Sequence, residues 1–271
     1  MTLKQGSRSL AVLTLQKKLN TVIGAKLYVD GDYGPGTARA VRTYQLRIGL
    51  VADGIAGTKT LAALNNEDTS KMLSQSDIER AAKDLGADVE AVMAVNLVES
   101  VGSGFLDHRP AILFERHVFV RRLLDHGVDQ AGIDQLIATL PNIVNTRPGG
   151  YAGGTAEYQK LSTAQRIHHA AALESCSWGA FQIMGYHWQT MGYDSVAQFV
   201  GRVHISEGEH LDAFVRFIKA DPALHKALKA KSWKQFARLY NGPAYAQNLY
   251  DVKMARAYSQ FKELTSESVD A

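Results

Sequence analysis

Residues 94–105 read AVNLVESVGSGF, an apolar run that meets an acidic side chain, Glu99, directly before a loop with two glycines. The run predicts a buried helix that ends at Glu99. A helix C-terminus holds unpaired carbonyls and a partial negative charge, so stability alone would place Lys or Arg there. Beneath Glu99 lie Val92, Val95 and Val98, and beyond it Gly102, Gly104 and Phe105. The dipole and desolvation together push such an acid toward its neutral form, which a general acid working near neutral pH requires. The competing reading is an exposed Glu that simply ends a helix.

Glycosidic hydrolysis commonly uses two carboxyl groups flanking the scissile bond. Downstream, RPAILFERHVFV (109–120) is rich in β-branched and aromatic residues with Pro at its head, which predicts a short strand or hairpin. Glu115 lies in that strand and Asp107 in the loop before it, and both are candidates for a second carboxylate. Against them stand a structural pairing of Glu115 with Arg116 or another Arg and a plain turn role for Asp107. SCSWGAFQIMG (175–185) sets Trp178, Phe181 and Gln182 among glycines. Aromatic faces and amides suit amide-bearing sugars, but Trp178 and Ile183 read better as core, leaving Gln182 as the polar residue to explain. Tyr240, Asn241 and Tyr245 in YNGPAY are either cleft walls or the stop of a helix, since Gly then Pro ends one.

Further out, Leu211, Phe214, Val215 and Ile218 make one amphipathic stripe, and Trp233, Phe236, Ala237 and Tyr240 another. At the N-terminal side, DGDYGPGT (30–37) recurs as DGIAGTKT (53–60), a D-G-x-x-G-x-x-T repeat. Asp-Gly supplies a tight turn, and the Thr is expected to cap the following helix. Helical periodicity follows each turn at Val41, Tyr44, Gln45 and Ile48 and at Leu61 and Leu64, and precedes them at Val12, Leu15 and Leu19. These predict a three-helix module over residues 1–64, a polar linker over 65–74, and a largely helical domain over 75–271 opened by a capping box at Ser76 to Glu79. The tail LTSESVDA is expected to fray.

The chain has 271 residues, 46% hydrophobic and 21% charged, with net charge +3, a mildly basic balance suited to a polyanionic surface. Its single cysteine, Cys176, excludes an internal disulfide and a cysteine-clustered zinc site, and reads as a small buried residue. His204, Glu207, Glu209 and His210 do not match a zinc-peptidase order, although His204 and Glu207 would share a helical face, so no metal site and no cofactor are expected. RPGGYAGG (147–154) lacks the ending of a phosphate-binding loop. No stretch is long and apolar enough to span a membrane, and Lys17 and Lys18 interrupt what a signal peptide would need.

The D-G-x-x-G-x-x-T turns resemble the peptidoglycan-binding domain of wall-degrading enzymes. VESVGSGF, RPAILFERHVF, RPGGYAGGTAEY, SWGAFQIMG and YNGPAY together resemble the N-acetylmuramidase domain of modular bacteriophage endolysins, in the lysozyme-like superfamily. The resemblance implies a mainly α protein: a small three-helix wall-binding domain plus a larger lysozyme-like helical domain with a short β-hairpin. It implies Glu99 as catalytic acid, Glu115 as second carboxylate and Asp107 in reserve. Phe105, Tyr151, Gln182, Tyr240, Asn241 and Tyr245 then line the glycan cleft, and Asp30, Tyr33, Arg39 and Tyr44 are candidates for wall contact. The implied activity is hydrolysis between N-acetylmuramic acid and N-acetylglucosamine in peptidoglycan, by a monomer with neither nucleic acid nor membrane insertion. The enzyme would wait in the host cytoplasm until a holin opens the way to the wall. Two rivals remain at this level: a lytic transglycosylase with Glu99 as sole acid and base, and a non-catalytic wall-binding phage protein.

Overall fold

The computed structural model describes residues 1–100 and 102–266. Three helices open the chain: α1 (Leu10–Ile23), α2 (Pro35–Ile48) and α3 (Thr58–Leu64). Ser9 caps α1 by accepting from the Val12 N–H, and Gly24 closes it in the left-handed region. Proline at the first turn of α2 fits because its missing N–H would have no partner there. Val12, Leu15 and Leu19 of α1 meet Val41 and Tyr44 of α2 and the inter-helix Tyr33 in one core.

Each D-G turn is read by a buried glutamine. Gln16 Nε2 donates to Asp30 Oδ1 (2.9 Å), the Asp32 carbonyl (2.9 Å) and Thr37 Oγ1 (3.2 Å), while its Oε1 accepts from the Gly31 N–H (2.9 Å). Gln45 repeats the set on Asp53 (2.7 Å), Ile55 (3.0 Å), Thr60 (3.0 Å) and Gly54 (2.9 Å). Thr37 and Thr60 therefore serve the glutamine network and do not cap; glycines, Gly34 and Gly57, occupy the N-cap positions of α2 and α3. The same packing corrects two wall-contact candidates. Tyr33 is fully buried with its hydroxyl on the Gly54 carbonyl (2.8 Å), and Tyr44 is 4% exposed, so both are core. Asp30 spends one carboxylate oxygen on Gln16 and the Asp32 N–H, whereas Arg39 is exposed.

The stretch expected as a linker is pinned at its far end. Leu73 is buried, Ser74 bridges Leu50, and the Gln75 side chain accepts from the Ala52 N–H (3.1 Å). Helix α4 (Gln75–Leu85) opens on a capping box of Ser74 and Asp77, two residues before the expected one. Helix α5 (Val89–Glu99) is buried without a break from Ala91 to Val95, so its sequence is apolar on every face.

Contacts divide the chain into two compact units, one of residues 1–98 with the chain from Lys226 on, the other Glu99–His225. The second unit begins with a hairpin, β1 (Phe105–Leu106) against β2 (Arg109–Pro110). Its two-residue turn, Asp107 and His108, has positive φ at both positions (46° and 63°), as the twist of a tight hairpin demands. Strand β3 (Ile112–Phe114) ends earlier than the sequence suggests: Glu115 leaves the strand and becomes the N-cap of α6 (Arg116–Asp125). Helices α7 (Gln130–Thr139), α8 (Glu157–Ile167) and α9 (His169–Glu174) follow. Strands β4 (Cys176–Trp178) and β5 (Ile183–Met184) complete an antiparallel sheet of order β3-β4-β5, with Phe114 opposite Cys176 and Trp178 opposite Ile183. Cys176, Trp178 and Ile183 are all buried there. Helices α10 (Val196–Val203) and α11 (Glu207–Ala220) cover the unit; Leu211, Phe214, Val215 and Ile218 are buried, with Phe214 stacked on Phe181 at 4.3 Å.

After α12 (Pro222–Lys229), the first unit is completed by α13 (Trp233–Asn241) and α14 (Tyr250–Ser266). Helix α13 stops at Gly242, with φ of 75°, ahead of Pro243. Asp88, just before α5, accepts from Tyr258 (2.7 Å) and pairs with Lys231 (3.1 Å). Leu264 packs so closely on Gly54 that a Cβ there would lie 3.0 Å from it. Of the tail expected to fray, Leu264 to Ser266 continue α14, and residues 267–271 lie outside the described residues.

Candidate active site

Glu99 and Glu115, both in the second unit, stand at opposite poles of their helices, Glu99 ending α5 and Glu115 preceding α6. Glu99 is the last residue of α5 and is half-buried. Its position places a carboxyl at the negative end of a helix dipole. Glu115 sits at the positive end of α6, where unpaired N–H groups favour negative charge. It makes no side-chain cap to its own helix; its carboxylate turns instead to Tyr151. The Tyr151 hydroxyl lies 3.0 Å from both Glu115 oxygens, and His117 Nδ1 is 3.2 Å from Oε2, within ion-pair range though not aligned as a hydrogen bond. The Glu115 backbone is fixed as well, its N–H donating to the Ser175 carbonyl at 2.9 Å. Arg116 does not pair with Glu115. Its guanidinium donates to the carbonyls of Arg147 (3.0 Å) and Pro148 (3.2 Å), which holds the loop leading to Tyr151.

Two buried acids and a histidine anchor the loops around these carboxylates. Glu157, wholly buried at the start of α8, accepts from the N–H groups of Phe114 (3.1 Å), Ala152 and Gly153 (2.8 Å), tying the Tyr151 loop to the strand before Glu115. Glu207 accepts from the Gly104 N–H at 2.8 Å, and His210 lies on the same helix three residues on. His210 Nδ1 accepts from the Ala180 N–H (3.1 Å) and Nε2 donates to the Val203 carbonyl (2.6 Å), which defines one neutral tautomer. Gly104 and Gly179 are needed because a Cβ on either would come within 2.8 Å of the His210 ring. The expected shared helical face of His204 and Glu207 does not form, since His204 ends α10 and Glu207 begins α11. Among the described residues no group of three or more His, Cys, Asp or Glu could hold a metal ion.

Other candidates fall elsewhere. Asp107 is exposed at the hairpin tip, the role its positive-φ backbone requires. Phe105 is half-buried and stacks on His210 at 4.9 Å. Gln182, at φ of 50°, spends its amide on its own turn: Nε2 donates to Gly179 (2.8 Å) and Ala111 (3.3 Å), and Oε1 accepts from Ser177 (2.7 Å). These bonds make Gln182 a clamp of its own turn. Tyr240 and Asn241 close α13, with Tyr240 stacked on Phe236 at 6.0 Å, and Tyr245 follows in a short 3-10 turn; all three belong to the first unit. Sequence reasoning missed His117, Glu157 and the glutamine pair. For Gln16 and Gln45 a signal existed, a polar residue on the apolar stripe before each D-G turn. For Glu157, a buried acid on a loop-facing helix start, no local signal distinguishes it.

A mainly helical fold with small antiparallel sheets follows a small module built on two D-G turns, and both parts match known families. Residues 88–262 match the model of the N-acetylmuramidase family, and residues 8–64 match the "Putative peptidoglycan binding domain" model. The chain belongs to the N-acetylmuramidase family, glycoside hydrolases of peptidoglycan. The crystal structure of the Burkholderia AP3 phage endolysin is similar with a TM-score of 0.92 and 49% identity, over 97% of this chain and 100% of that one. A zinc D-Ala-D-Ala carboxypeptidase of Streptomyces albus G is 46% identical over 61 residues, 22% of this chain. The chain spans about a quarter (24%) of the length of that curated relative.

Proposed function

We propose that the chain is an endolysin that hydrolyses the β-1,4 bond between N-acetylmuramic acid and N-acetylglucosamine, with Glu99 as general acid and Glu115 as the second carboxylate. The observation that carries this reading is the electrostatic opposition of the two groups: Glu99 at a helix C-terminus, Glu115 at a helix N-terminus and braced by Tyr151 and His117. Glu99 donates its proton to the glycosidic oxygen as the bond breaks. Glu115, held by the Tyr151 hydroxyl, directs water or stabilises the oxocarbenium-like transition state. Phe105, Tyr151, Tyr240, Asn241 and Tyr245 remain candidates for sugar contact, and Asp30 and Arg39 for wall contact. Residues 1–64 act as the wall-binding domain joined through 65–74 to the catalytic residues from 75 on, raising the local concentration of an insoluble polymer. As an endolysin the monomer would wait in the host cytoplasm and reach the wall after a holin opens the membrane.

Mass spectrometry of wall digests tests the reaction. Hydrolysis leaves reducing muramic acid ends, and products lighter by one water would instead mean the transglycosylase route. Glu99→Gln, which keeps shape and removes the proton, is expected to lower turnover by at least about a hundred-fold with unchanged melting temperature. Turbidity clearing by that variant at the wild-type rate would remove Glu99 from the mechanism.

A further inference from the structure

A polar groove of about 560 Å³ runs along the outer face of α8. Tyr158, Ser162 and Arg166 line it at successive helical turns, with Gln159 and Thr163 beside them, and Arg109 of β2 closes one end. The Arg109 guanidinium stacks over the Tyr158 ring at 4.2 Å, and the Tyr158 hydroxyl is held by the Pro110 carbonyl at 2.7 Å. The stacking fixes one cation at the groove's edge. Arg166, eight residues beyond Tyr158, sits about 12 Å further along the helix. Neither arginine has an acidic partner among the described residues, and no acid lines the groove. The one acid at this end of α8, Glu157, is buried and committed to backbone N–H groups on the other side.

We infer that this groove binds carboxylates of the peptide stems borne by the glycan being cleaved. The inference rests on the reading of Glu115 and Glu99 as a peptidoglycan-cleaving pair. Two features connect the groove to that site. Thr155 and Ala156 line its N-terminal end four and five residues after Tyr151, and Tyr158 grips the residue that leads into β3 and so to Glu115. The anionic groups that travel with a glycan strand are stem carboxylates, and two guanidiniums spaced along a helix suit two of them better than one compact anion. The groove would then add affinity and register without touching the reacting bond.

The test is titration of the full chain with a soluble stem peptide bearing free carboxylates, compared with the same peptide amidated at every carboxyl. Binding of the free peptide is expected to weaken roughly ten-fold in Arg166→Ala and further in Arg109→Ala/Arg166→Ala, to be partly restored by Arg166→Lys, and to fall with salt. Equal binding of the amidated peptide, or unchanged binding in Arg166→Ala, would overturn it. Tighter binding of inorganic phosphate than of the peptide at the same arginines would also overturn it, by making a phosphate polymer the occupant. A second arm compares cleavage of stem-bearing glycan with glycan stripped of its stems. The double variant should raise KM on the first roughly ten-fold and leave the second unchanged; equal loss on both would show a folding role instead. Wild type cleaving neither substrate would fail the muramidase reading, whereas peptide binding is read without catalysis.

Discussion

One phenol braces both oxygens of Glu115, and nothing in the spacing of 115 and 151 announces it. Tyr151 is 46% exposed, so Tyr151→Phe should leave the melting temperature unchanged while lowering kcat about ten-fold, the worth of one hydrogen bond to a charged group. Burial and the neighbouring Glu115 charge raise the Tyr151 hydroxyl above its ordinary value, so it stays a donor across the working range of a wall hydrolase. A steady-state assay on soluble glycan reads the effect; an unchanged kcat would make the contact incidental. Glu99, by contrast, was visible from sequence because an acid ending an apolar helix contradicts what the helix itself prefers. A different residue-scale demand falls on Gly185. A Cβ there would lie 2.2 Å from the Leu173 carbonyl oxygen and 2.9 Å from the Glu174 Cα, both backbone atoms that cannot swing aside. Gly185→Ala is expected to destabilise the fold by about 3 kcal/mol or more, seen as a lowered denaturant midpoint.

At the scale of elements, the two D-G turns share one glutamine-centred design but not one electrostatic environment. At Asp30 the Gln16 hydrogen bond leads, and it holds the carboxyl below its ordinary range. At Asp53 burial outweighs the hydrogen bonds from Gln45 and Ile55 and pushes the pKa up to about 6 from 3.8. The folded state therefore holds the Asp53 proton more tightly than the unfolded chain. Its contribution is full below pH 3.8 and is lost as pH rises through about 6. Asp53 is half-buried and keeps some contact with solvent, so the loss stays below about 3 kcal/mol. Asp53→Asn should flatten the melting temperature between pH 4 and pH 6.5 at this site; an unaltered pH profile would contradict the assigned shift. The repeat, the helices and the stop at Gly242 could be read from periodicity and turn residues. The end of β3 at Phe114 could not: ERHVFV has strand-like composition, but the Glu115 carbonyl takes the Phe119 N–H and a helix begins there.

For the whole molecule, the N-terminal module is less separable than a polar linker suggests. Leu264 of α14 lies against Gly54, Ser74 bridges Leu50, and Gln75 holds Ala52, all within one compact unit. Deleting residues 1–64 is expected to lower the melting temperature of the remaining chain by several degrees besides abolishing retention on sedimented wall sacculi. An unchanged melting temperature would show a module that only tethers. Sequence by itself determined the three N-terminal helices, the repeat, the helix that ends at Glu99 and the family resemblance, because periodicity, turn chemistry and a charge out of place are local signals carried within a few residues. Only the tertiary structure decided which candidates are core, as with Tyr33 and Tyr44, and which amides are already committed, as with Gln182. It also decided that Glu115 meets Tyr151 and that Arg109 meets the face of α8, since each pairs residues tens of positions apart whose approach depends on how buried surfaces pack.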